Sequence, residues 1–221
     1  MYNEIIFLIQ FFIPLLILYY STRLPYELLV MIVTVLLITA NIVVNKQILC
    51  FSCLTTPSEG AAIGVGTLIT LIQYRFGHTK THQTLIISAL GNLLFFTMLI
   101  SSVAYLPATN DTFHAPLTTI TLLFGRTLIA SLLAYTTSQI LATRLRQQII
   151  FSQTRYTTSL LTGSTILAML LDTTAFTTIN FIGTYPLATI IQIGLFALAT
   201  RCITLIFYAP FIAWFIQKNK D

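Results

Sequence analysis

Residues 162–183 read TGSTILAMLLDTTAFTTINFIG. The stretch is long and apolar enough to cross a bilayer as a helix, yet Asp172 sits near its middle. A carboxylate at bilayer depth costs roughly 2.5–3.5 kcal/mol on insertion scales, so it implies a partner or a use. Thr173, Thr174, Thr177 and Thr178 follow it. Small hydroxylated residues suit a packed helix interface or a cavity wall better than lipid. What Asp172 faces therefore decides how the rest of the chain is read.

The whole sequence agrees with a membrane setting. It has 221 residues, of which 56% are hydrophobic and 8% charged, where a soluble domain carries about 25% charged. Its mean hydropathy is +0.88. There is too little polar surface to cover a water-soluble globule. The expected fold class is all-α, a polytopic bundle forming a single membrane domain over 1–221. The formal charge of +5 is spread along the chain, which argues against a nucleic-acid partner and makes the basic residues markers of topology.

Outward from Asp172, the pattern predicts seven spans at about 4–20, 28–50, 55–74, 84–106, 117–143, 158–182 and 187–216. The first has no basic n-region or cleavage site and reads as a retained helix rather than a signal peptide. The third is rich in small residues, with Gly60 and Gly64 at GxxxG spacing. Polar loops are expected at 77–83 and 107–116. With the N-terminus outside, the inner segments hold Arg23, Arg75, Lys80, Arg144, Arg146, Arg155, Lys218 and Lys220, and the outer ones only Lys46. That split supports seven spans with the C-terminus in the cytoplasm.

The remaining basic residues, Arg126 and Arg201, fall inside spans. At 1.5 Å per residue, Asp172, Arg201 and Asn41 come out level near mid-bilayer. Lys46, Glu59 and Arg126 lie toward the outside and Gln139 toward the inside. Each has a plainer reading. Lys46 can snorkel to the interface. Glu59 can be a first-turn acid favoured by the helix dipole. Asp172 and Arg201 can be an ion pair that fixes helix register.

Enzyme templates fit poorly. No His or Cys is placed for nucleophilic catalysis, no paired-carboxylate run suits metal-assisted chemistry, and no phosphate-binding loop is present. Cys50 and Cys53 form a CFSC pair, better read as small apolar residues than as a redox motif. His78 and His82 fall in the loop at 77–83 and His114 in the loop at 107–116 on the other side, so a shared metal is not expected. No cofactor is implied. A buried polar pocket among apolar helices is the signature of a small-solute carrier.

Several stretches together resemble the queuosine precursor transporter family, also described as vitamin-uptake-type or DUF165 membrane proteins. They are ANIVVNKQI at 40–48, YRFG at 74–77, GRTLIASLLAYTTSQIL at 125–141, LRQQ at 145–148, STILAMLLDTTAF at 164–176 and NFIG at 180–183, with Arg201 and the later APF at 209–211 closing the match. The resemblance implies uptake of 7-deazaguanine bases across the bacterial inner membrane for tRNA modification. By position it implies substrate contact for Asn41, Lys46, Arg126, Gln139, Asp172 and Arg201, with Asp172 the strongest match.

The sequence departs from the family at Thr70, Tyr74 and Ala142, where acids are usual, and at Glu59, where Asn is usual. A shift to queuine, with its bulkier cyclopentenediol, would account for this; so would drift in a reduced genome. On this reading Asp172 meets the guanine-like N–H edge or a substrate ammonium, Phe176 or Tyr135 stacks on the flat base, and Arg126, Lys46 and Glu59 form an outer vestibule or gate. The expected partners are a purine-like base and the lipid bilayer. A homo-oligomer or an energising ATPase is left open, as is a purely structural membrane protein.

Overall fold

The computed structural model describes residues 2–21, 23–152 and 157–218. Six helices and one small hairpin follow in the order α1 (Tyr2–Ser21), α2 (Tyr26–Val43), β1 (Ile48–Cys50), β2 (Cys53–Thr55), α3 (Glu59–Ala104), α4 (His114–Ser152), α5 (Thr157–Phe181) and α6 (Leu187–Lys218). Among the described residues, four helices are long and apolar enough to cross a membrane, α2, α3, α4 and α6, while the apolar stretch of α5 counted on the same basis, Ile166–Phe181, is shorter than the expected span 158–182.

α3 is where the element count departs from the expected seven helices. Its 46 residues would run about 69 Å if straight, twice a bilayer core. Gly77 breaks it, with φ 82 and ψ 177, a backbone region open essentially to glycine alone. The contacts show which way each arm runs. At the start of α2, Arg75 donates to the Leu24 carbonyl at 2.9 Å. There too, the Tyr26 hydroxyl donates to the Lys80 carbonyl at 3.0 Å. Toward the end of α2, Asn41 donates to Asn92 at 2.9 Å and lines a cavity together with Glu59. The first arm therefore runs from the end of α2 back to its start and the second returns toward its end, so the two arms are antiparallel to each other. The polar loop expected over 77–83 shrinks to one residue; His78 onward is helical.

A second difference lies between α2 and α3. The expected span 28–50 stops at Val43, and residues 48–55 form an antiparallel hairpin pairing Cys50 with Cys53. Its two-residue turn places Phe51 and Ser52 at φ 51 and 61, the positive-φ pair of a type I′ turn. Asn3 donates to the Leu49 carbonyl and Glu4 accepts from the Phe51 N–H, so the hairpin is tied to the start of α1. Both cysteines are free. Burial pushes the Cys50 thiol above its ordinary range, which favours the unreactive thiol form.

The apolar core joins α2 to both arms of α3. Leu29, Val33 and Leu37 repeat every fourth residue and meet Ile63, Leu68, Ile69, Ile72 and Leu85, as an amphipathic stripe should. Backbones come close where side chains vanish: a Cβ on Gly60 would stand 2.6 Å from the Gln10 carbonyl oxygen. A second cluster, Val44, Phe181, Ile190 and Ile193, gathers the ends of α2 and α5 with the start of α6. Met31, Val35, Leu90, Leu94, Met98, Leu122, Ile129, Ile191 and Leu195 face outward. Glu59, Asn92, Gln139, Arg146 and Arg201 are buried. Large apolar residues outside and polar ones inside invert the soluble pattern and match a bundle solvated by lipid.

Candidate functional site

One cavity lies at the centre of the bundle, and each wall supplies it at helical spacing. α5 gives Met169, Asp172, Thr173, Phe176 and Thr177; α4 gives Ser131, Tyr135 and Gln139; α2 gives Leu37, Ala40 and Asn41, with Val44 from its C-cap. The first arm of α3 adds Glu59, Ala62, Ile63 and Gly66, and α6 adds Ile193 and Arg201. The cavity between these residues has a volume of about 80 Å³. That is room for several waters or for a small flat ligand replacing them.

Arg201 organises the charge. Its Nε donates to Glu59 Oε2 at 3.1 Å. Its Nη1 donates to Asp172 Oδ2 at 2.9 Å and to Thr173 Oγ1 at 2.5 Å. One guanidinium thus ties α6 to α3 and α5. The two carboxylates differ in access: the side chain of Asp172 is 23% exposed and that of Glu59 6%. Two acids and one base leave the cluster one negative charge in excess. Two further polar groups in the walls, the Tyr135 hydroxyl and Gln139 Oε1, are buried with no hydrogen-bond partner among the described residues. An orphaned buried polar atom costs about 1–3 kcal/mol, so a ligand or water that satisfies it is favoured.

Seven of the nine residues expected from sequence line this cavity: Asn41, Glu59, Tyr135, Gln139, Asp172, Phe176 and Arg201. Arg126 and Lys46 do not. Arg126 turns to the end of α5, donating to Thr184 Oγ1 at 2.6 Å and to the carbonyls of Ile179 and Ile182. Those carbonyls lack intrahelical partners, and a cation there also meets the favourable end of the helix dipole. Lys46 is exposed. Of the expected outer group, Glu59 lines the cavity and pairs with Arg201, while Arg126 and Lys46 lie outside its wall, beside the Asn45–Thr127 hydrogen bond of 2.9 Å.

Arg146 is the residue that sequence reasoning misplaced. It was expected in an inner loop with Arg144 and Arg155, but α4 continues to Ser152 and leaves Arg146 only 2% exposed. Its Nη1 donates to Gln73 Oε1 at 3.1 Å, and Gln73 donates to the Thr143 carbonyl. Its Nε has no partner, and no carboxylate pairs with it among the described residues. The signal was present: Gln139, Thr143 and Arg146 fall on one helical face, and that stripe continues the polar wall below the cavity.

Comparison with known proteins adds one result. No curated protein and no solved structure matches the chain. A family model described as "putative vitamin uptake transporter" matches residues 64–215. The matched region holds Tyr135, Gln139, Asp172, Phe176 and Arg201 of the cavity wall, and it is consistent with the resemblance carried by the motifs above. Covering well over half of the sequence, the match shows a multi-pass membrane protein that belongs to the vitamin uptake transporter family so described.

Proposed function

We propose that this protein carries a 7-deazaguanine base, either queuine or an earlier queuosine precursor, into a bacterial cell across the inner membrane for tRNA modification. It acts as a carrier rather than an enzyme. On this reading the two arms of α3 each cross the bilayer, making seven spans with the N-terminus outside and the whole chain one transport domain. The observation that supports the reading best is the cavity wall. It combines carboxylate and amide acceptors (Asp172, Glu59, Gln139) with flat or apolar surfaces (Phe176, Ile63, Ile193). A planar base with an N–H-rich edge matches acceptors along its rim and aromatic carbon on its face.

Complementation tests this reading. A queuosine-negative strain supplied with a base-inserting enzyme and this gene should form modified tRNA when given queuine or a precursor base. Asp172→Asn should abolish that modification while the protein still reaches the membrane; full activity of the variant would remove Asp172 from the site. The family description favours one second reading, a substrate-binding membrane subunit served by a separate ATPase. Uptake by the purified chain alone in liposomes would reject that alternative.

A further inference from the structure

The charge around Arg201 does not close. No element packed on the cavity supplies a second cation among the described residues. α2 presents Asn41, the segment before α3 presents Thr56 and Ser58, α3 presents Glu59, α4 presents Tyr135, α5 presents Asp172 and α6 presents Arg201. Among the described residues, the titratable groups in the wall are therefore two acids, one phenol and one guanidinium. Arg146 lies beyond the wall, hydrogen-bonded to Gln73. Lys46 and Arg126 are not in the wall, as shown above. Two carboxylates share one guanidinium, so the cluster carries one negative charge in excess, and a partly desolvated excess charge is costly.

We propose that the Glu59–Arg201–Asp172 cluster is a proton site, taking up one proton on Asp172 for each base carried. This rests on the uptake reading above. Asp172 is the acceptor because it is the more accessible acid and because Oδ1 carries no hydrogen bond among the described residues, while Oδ2 holds Arg201. The proton comes from water on the outer side and forms an O–H bond at Oδ1. Arg201 is then left in a balanced pair with Glu59, and its tie to α5 is weakened while its tie to α3 persists. The unpaired Gln139 Oε1, in the same wall, is free to accept a hydrogen bond from a bound ligand. On the inner side the proton returns to water, so one proton and one neutral base move inward together.

The test uses the purified full chain in liposomes with tritiated queuine and a pH dye in the lumen. With the membrane potential clamped, an inside-alkaline gradient of one pH unit should drive accumulation of about tenfold, the ratio equivalent to one pH unit for one proton per base. The lumen should acidify as base enters. Accumulation that follows a sodium gradient would overturn the proposal. So would accumulation of an aminomethyl base that follows membrane potential without lumenal acidification, since the ligand's own ammonium would then supply the charge.

Infrared difference spectra between acid and alkaline conditions read the site without transport. A carboxylic-acid carbonyl band should appear in the wild type, vanish in Asp172→Asn and persist at a shifted position in Asp172→Glu. Absence of the band in the wild type would overturn the proton site even if uptake occurs. Its presence in a protein that takes up no base would keep the site and reject the uptake reading.

Discussion

Arg201 and Arg146 are both buried guanidiniums, and their surroundings predict different outcomes on removal. Arg201 holds two carboxylates, so Arg201→Met strands both. Breaking one side of a buried ionic network costs about 3–5 kcal/mol, and thermal unfolding in detergent should show a loss of that size. Arg146 has no acidic partner among the described residues and donates to one amide. Arg146→Met leaves Gln73 Oε1 without its donor, at about 1–3 kcal/mol, but removes a desolvated charge that opposes folding, so the net loss should be well below that of Arg201→Met. The same measurement checks it, and a cost like that of Arg201→Met would mean that an unseen partner exists. Asp172 and Arg201 were legible in sequence because a charge amid an unbroken apolar run has few explanations. Arg146 was not, because a basic cluster past the end of an apolar stretch looks like an inner loop until the helix is seen to continue.

α3 turns on a single residue. At Gly77 a side chain would meet nothing within 4 Å, so only the backbone objects to one. Gly77→Ala should cost about 1–3 kcal/mol through φ/ψ strain alone. Gly163, inside α5, is equally uncrowded but has no positive φ, and Gly163→Ala should instead stabilise by up to about 1 kcal/mol. Comparing the two melting temperatures separates strain from packing. The break near Gly77 was visible from the polar residues after it, but not its economy: a turn this tight leaves His78–Gln83 helical. The hairpin at 48–55 was hidden for another reason. ILCFSCLT is continuously apolar or small and lacks the Asn-Gly or Asp-Gly signal that marks such turns, so its residues read as the end of one span and the start of the next.

For the molecule as a whole, the distribution of charge sets an orientation that can be measured. With Arg146 moved from loop to interior, the expected inner segments keep Arg23, Arg75, Lys80, Arg144, Arg155, Lys218 and Lys220 against Lys46 outside, so the asymmetry survives the correction. Lys80→Cys, just past the Gly77 bend, and Thr112→Cys, in the exposed connection before α4, should label from opposite faces. An impermeant thiol reagent added to intact cells should reach Thr112→Cys and not Lys80→Cys, in a background with Cys50, Cys53 and Cys202 replaced. Labelling of both from outside would break the seven-span reading. The bend itself bears on how tightly the two arms are coupled. One non-helical residue joins them, so the junction has no loop to absorb movement, and Glu59 at the head of the first arm and the Asn92 contact on the second are held along one continuous backbone.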